Sequence, residues 1–180
     1  VELGYTQVEK NLMHNIGNKP YIDVKSVIAS LIPSSINKNL RVKLEDFYKK
    51  RFLRNLSCHD KFEFQIMSGS IILDGGLLDS LDKNLTKSEF MLYKKHLNTL
   101  TNNIIKSFKN YKISYERDLK KCFHRDKKDN STNHLSIISL IENNLEKLKK
   151  YATSQFSGAA RMAFISKYLL DNCVQDNILT

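Results

Sequence analysis

Apolar residues return at three- and four-residue steps along most of this chain, and the longest unbroken run of that pattern lies in its middle. Phe90, Tyr93, Leu97, Leu100, Ile104, Phe108, Tyr111, Tyr115 and Cys122 fall in one stripe at about 100° per residue. Lys95, Asn102, Lys106, Lys109 and Lys120 fall on the opposite side. Thr86-Lys87-Ser88-Glu89 has the form of a capping box, in which the Thr hydroxyl accepts from the backbone three residues on and the Glu reaches back. The pattern predicts a helix over 86–124, about 55 Å long at about 1.5 Å per residue.

A polar stretch, Arg125 to Asn133, separates this helix from a second stripe: Ile138, Ile141, Leu145, Leu148, Ala152, Gln155, Ala159, Met162 and Leu169. It predicts a helix over 134–172, antiparallel to the first. Ser154, Ser157, Gly158, Ala159, Ala160 and Ala163 make a patch of small residues that lets a neighbour approach closely. Gly158 is the candidate hinge within it, because glycine costs a helix about 1 kcal/mol relative to alanine and permits a bend.

The first half is less regular. A short amphipathic stretch from Gly4 to Ile16 precedes Gly17-Asn18-Lys19-Pro20, which breaks it. Asp23 caps a helix from Val24, Pro33 interrupts or kinks it, and Leu40, Leu44, Phe47 and Leu56 continue the face with Arg51 intruding. Over 60–83, Phe62-Glu63-Phe64-Gln65-Ile66 alternates like a strand, while Phe62, Ile66, Gly69, Leu73, Leu77 and Leu81 fit one helical face. A lone two-stranded ribbon is marginal in water, which favours a helix with a break at Gly75-Gly76. The expected fold is therefore all-α: a single domain, 1–180, built as an up-and-down four-helix bundle. Its long segments are 22–56, 60–83, 86–124 and 134–172, with a short extra N-terminal helix.

Composition changes this picture little, but charge adds to it. The 180 residues carry 29 Lys and Arg against 19 Asp and Glu, for a net charge of +10. No apolar run approaches the roughly 18–20 residues that span a bilayer. Of the basic residues 23 are Lys and 6 are Arg, and bidentate recognition of phosphates and bases favours Arg. A solvated lysine face is the first reading, with attraction to anionic membranes or nucleic acid at low salt as its consequence. Seventeen Asn together with the many Lys point to codon bias as one source of the polarity.

Candidate chemistry is sparse. Cys58, Cys122 and Cys173 are scattered, and their disulfide state is left open by an odd number without a Cys-x-x-Cys pair. Cys58-His59 and Cys122-Phe123-His124 lack the ligand spacing of a zinc site, and no elbow or oxyanion loop flanks them as a nucleophile would require. Asp74-Gly75-Gly76 lacks the Lys-Ser/Thr of a phosphate loop. Neither an enzyme nor a cofactor or metal is expected. Asn55, Asn84 and Asn130 head Asn-x-Ser/Thr triplets, which chance also supplies in a chain rich in these residues.

Two sets of residues remain as candidate sites. Lys95, Lys106, Lys109, Lys120 and Lys121 are the candidate contact with a membrane or other polyanion. Arg51, Asp118 and Gln155 are polar groups on otherwise apolar seams. Buried polar groups lower the stability of a bundle, since each must be desolvated and paired, and a bundle that opened would expose its apolar stripes.

In size, in its Asn/Lys-rich composition, and in the segments TKSEFMLYKKHLNTLTNNIIKSFKNYKISYERDLKKCF and HLSIISLIENNLEKLKKYATSQFSGAARMAFISKYLL, nearly the whole chain resembles the SPECT proteins. These are small microneme proteins of malaria sporozoites needed for cell traversal. The resemblance carries over no functional residue. It implies a secreted, non-enzymatic four-helix bundle acting at host-cell membranes, on lipid or a membrane-associated protein, with oligomers on the membrane allowed. It also gives polar core residues a role in metastability. The readings set against it are a basic nucleic-acid-binding helical protein and a helical effector that binds a host protein.

Overall fold

The computed structural model of the chain describes residues 3–8, 11–67, 75–123, 134–175 and 177–179. It is mostly helical, with one small two-stranded sheet among the described residues. Its contacts group residues 2–105 and 164–180 into one compact unit and residues 106–163 into another.

In the larger unit the first departure from expectation is N-terminal. Among the described residues the stretch from Gly4 to Ile16 holds no helix. Residues around Tyr5 run extended and bridge to Pro33, with the Thr6 amide donating to the Ile32 carbonyl at 3.0 Å and the Ser34 amide to the Gly4 carbonyl at 2.9 Å. Met13–Ile16 (β1) and Lys19–Ile22 (β2) then pair antiparallel, with Met13 opposite Ile22 and Ile16 opposite Lys19. The reason is the turn: Gly17 and Asn18 have φ of 58° and 59°. Positive φ at both central residues matches the twist of two antiparallel strands and turns the chain back instead of merely breaking it.

Asp23 does cap α1 (Val24–Leu31), its carboxylate accepting from the amides of Lys25 and Ser26 and from the Ser26 hydroxyl at 2.6 Å. Ile32 is extended, as the residue before a proline prefers, so Pro33 ends the helix outright. The chain re-enters a helix at Asn37, whose side chain accepts from the Leu40 amide at 2.9 Å and opens α2 (Lys38–Arg54). A 3-10 helix (Leu56–Lys61) and a π-helical turn (Phe62–Ile66) follow, so neither strand nor regular α-helix forms there. Gly75-Gly76 forms the first turn of α3 (Gly75–Asn84). Gly69 and Leu73, expected on the same face, lie outside the described residues.

The core of this unit joins Ile28, Ile32, Leu40, Leu44, Tyr48, Phe62, Ile66, Leu77, Leu81, Tyr93 and Leu97. Tyr48 is completely buried where Phe47 is half-buried, and Leu56 stands exposed beyond the helix end. The Tyr48 and Tyr93 hydroxyls meet at 2.8 Å, and burial, with the other phenol close by, holds the Tyr93 hydroxyl well above its usual titration range.

The long helix α4 (Lys87–Phe123) forms as its stripe predicts. Thr86 and Glu89 make both halves of the capping box: the Glu89 amide donates to the Thr86 hydroxyl at 3.3 Å, and the Thr86 amide donates to the Glu89 carboxylate at 2.9 Å. Lys43 adds an ion pair to Glu89 at 2.6 Å. The Lys43 ammonium first, then the Thr86 amide and hydroxyl, lower the Glu89 carboxyl from its ordinary 4.5 to about 2. A folded-state value below the unfolded one gives stability that is complete above about pH 4.5 and lost as pH falls through about 2. Glu89→Gln is therefore expected to flatten the fall of Tm with acid across that window, which thermal melts at graded pH will read. An unchanged acid limb would show that the pair contributes nothing.

In the smaller unit, the second half of α4 runs against α5 (His134–Lys147), a π-helical segment (Leu148–Thr153) and the start of α6 (Ser154–Gln175). Two sets of expected core positions fail here. Phe108 is 57% exposed; at about 100° per residue it sits about 40° off the centre line of the α4 stripe. Ile138, Ile141, Leu145 and Leu148 are also exposed, at 48–54%.

The register of the helices explains that second failure. The Cys122 thiol reaches the Lys147 carbonyl at 3.7 Å and Gln155 reaches Asp118 at 2.7 Å, so the helices run antiparallel with Lys147 level with the end of α4. Residues 137–146 therefore lie past Phe123, where no described part of α4 remains to cover them. The π segment also shifts the helical phase, by about 100° for each extra residue it accommodates. The stripe over 138–148 thus no longer continues the buried face at Gln155 and Met162.

Candidate functional site

Within residues 106–163 the buried face of α4 is polar at two points, and α6 answers both. Tyr111 is in core phase, and its ring is buried while its hydroxyl donates a hydrogen bond to the Gln155 carbonyl. Burial raises the Tyr111 phenol above its ordinary value, so it stays a donor. That carbonyl lies in the first turn of α6, just after the π segment.

Two turns on, the Gln155 side chain donates from Nε2 to the Asp118 carboxylate at 2.7 Å. Its Oε1 is buried with no hydrogen-bond partner among the described residues. Burial acts to raise the Asp118 carboxyl, but hydrogen bonds from Gln155, Arg117 and Lys121 outweigh it and leave it below its ordinary 3.8. Arg117 and Lys121 stand at 3.3 and 3.4 Å from its Oδ1. Gly158 is buried in the first turns of α6, and a Cβ there would come within 2.5–2.8 Å of the Tyr111 phenol. The absence of a side chain is what lets the tip of that phenol approach the helix so closely.

Asp118, Gln155 and Gly158 thus share one small site with Tyr111 and Lys121. Arg51 belongs to the larger unit, where its Nε and Nη2 donate to the Gln65 carbonyl at 3.3 and 3.1 Å. Lys95, Lys106, Lys109 and Lys120 are all exposed on α4. Lys121 is exposed beside Tyr151, with its ammonium 5.2 Å from the ring centre, and Lys150 approaches the same ring at 5.4 Å. Tyr111 and Tyr151 were missed as site residues. A tyrosine on an apolar stripe was the available signal for Tyr111, because its hydroxyl must find a buried partner. Nothing in the sequence announces the π segment.

Charge is concentrated in this unit. Thirteen Lys and Arg against six Asp and Glu lie between residues 106 and 163, which is most of the net +10 of the chain. At the end of the exposed stripe of α5 stand Lys147, Lys149 and Lys150, with Glu146 pairing to Lys149 at 2.7 Å. Among the described residues no three His, Cys, Asp or Glu side chains gather to hold a metal ion, and no helix is long and apolar enough to cross a membrane. Cys58, Cys122 and Cys173 are free thiols, each half-buried; His124 lies outside the described residues. Comparison with protein families, curated proteins and solved structures finds no match.

Proposed function

We propose that this chain is a secreted, non-enzymatic helical protein that acts at host-cell membranes, in the manner its resemblance to the SPECT proteins of cell traversal implies. The observation that carries this reading is the exposed apolar stripe of α5 and the start of the π segment, Ile138, Ile141, Leu145 and Leu148, which ends in a lysine cluster around Tyr151. An apolar stripe with lysines and an aromatic ring at its border is the arrangement by which a helix lies in a bilayer interface. In its closed form the chain is an up-and-down four-helix bundle, and opening exposes further stripes. The seam supports this second step. An unpaired buried amide oxygen of the Gln155 kind costs about 1–3 kcal/mol, and opening relieves that cost.

Flotation with vesicles tests the reading. The chain is expected to float with anionic vesicles even at about 1 M salt, where the Debye length is about 3 Å. Ile141→Glu/Leu145→Glu, both at exposed positions, is expected to abolish that salt-resistant binding while the helical circular dichroism is kept. Binding seen only at low salt would reduce the interaction to charge and return the chain to the polyanion-binding reading. No flotation at all would sink membrane action and leave a host protein as the partner.

A further inference from the structure

In the larger unit the last turns of α2 and α3 enclose a cleft of about 300 Å³ lined by Phe47, Lys50, Arg51, Arg54, Asn55, Ser80, Lys83 and Asn84. Four of these residues are cationic and none is acidic. Cations beside helix C-termini are ordinary, because they offset the negative end of the helix dipole. Here that need is already met in part by neutral groups. The Asn55 amide donates to the Arg51 carbonyl at 2.8 Å and the Asn84 amide to the Ser80 carbonyl at 2.7 Å. Two end-carbonyls that would repel an anion are thereby occupied.

The cations differ in how they are held. Lys50 pairs with Asp46 at 2.7 Å, outside the lining of the cleft. The Gln65 carbonyl takes Nε and Nη2 of Arg51, which fixes the plane of its guanidinium and leaves the Nη1 donors over. Arg54 and Lys83 have no ion-pair or hydrogen-bond partner among the described residues. A fixed guanidinium, a second guanidinium and an ammonium around a small cleft are the donor set for a compact, doubly charged oxyanion.

We propose that this cleft binds a phosphomonoester dianion, carried on a small soluble molecule or on a lipid headgroup. Arg51 supplies the pre-oriented donor, Arg54 and Lys83 close on the phosphate, and the cleft of about 300 Å³ leaves room for a small organic group that carries it. The site lies apart in sequence from the α5 stripe and does not depend on the reading of that stripe.

The test titrates the full ¹⁵N-labelled chain with inorganic phosphate and with glycerol phosphate at low ionic strength, followed by amide chemical shifts. Saturable shifts clustered at residues 47–55 and 80–84 are expected. Arg54→Gln/Lys83→Gln should weaken them at least about tenfold, since two charge-assisted contacts are lost. Lys25→Gln/Lys38→Gln, which removes the same charge elsewhere, should leave the affinity within about twofold. Vesicles carrying phosphatidic acid or phosphatidylserine separate the sources. A preference for phosphatidic acid that Arg54→Gln/Lys83→Gln abolishes assigns the lipid; saturation by glycerol phosphate without that preference assigns a soluble ligand. Shifts that never saturate, or equal weakening in both double variants, would overturn the proposal.

Discussion

Replacing Tyr93 by alanine is expected to destabilise the chain by about 3–5 kcal/mol, as truncation of a large buried aromatic does. Tyr93 is fully buried at the point where α4 meets α2, and its hydroxyl is paired with that of Tyr48 at 2.8 Å. Truncation removes both the ring and one hydrogen-bond partner of the Tyr48 hydroxyl. Domain stabilities of about 5–15 kcal/mol leave little margin for such a loss. Urea unfolding followed by circular dichroism at 222 nm should show a large drop in midpoint for Tyr93→Ala. Tyr93→Phe, which keeps the ring, should cost about 1 kcal/mol. A Tyr93→Ala midpoint within error of the parent would mean that α2 and α4 do not share this core.

The second large effect concerns Gly158. On an open helix surface Gly→Ala stabilises by about 1 kcal/mol. At this site the added carbon would stand 2.5 Å from the Tyr111 hydroxyl oxygen, and the phenol cannot swing aside without giving up its bond to the Gln155 carbonyl. Overpacking of this kind costs about 1–3 kcal/mol, so Gly158→Ala should be destabilising. The sign should reverse once Tyr111 is alanine, because only the propensity gain then remains. A double-mutant cycle reads this as a coupling well outside the scatter of independent sites. If Gly158→Ala instead leaves stability unchanged and slows vesicle binding, the glycine serves as a hinge and the phenol contact is incidental.

These two sites differ in how far the sequence disclosed them. The helix that carries Tyr93 was legible throughout, because the capping box at Thr86 and Glu89 marked its start and one stripe ran for its whole length. Asp118 and Gln155 were legible as polar groups on apolar faces, and they do meet. Arg51 carried the same signal, yet it answers a backbone carbonyl at Gln65, since periodicity names a face without naming what opposes it. The exposed stripe of α5 fails for the same reason: its spacing is that of a core helix, but the described part of α4 ends short of it. The hairpin at Met13–Ile22 was hidden differently. Gly17-Asn18 reads as a break until the positive φ of both residues is known, and only then does it specify a return. The basic cleft joins residues about 30 apart in sequence, at two helix ends, and no local pattern links them.

The π segment at Leu148–Thr153 bears on how this chain can vary in length. A π turn holds one more residue than an α turn, so it is what an α-helix becomes when it accommodates an insertion without breaking. Removing one residue from 148–153 would let α5 and α6 merge into a regular helix with their faces held as they are, because the π turn already absorbs the roughly 100° of that residue. A single deletion, elsewhere disruptive in a helix, would there leave the Ile138–Leu148 stripe exposed and the Gln155 face buried. Natural variation by one residue in length at this point would therefore spare both surfaces.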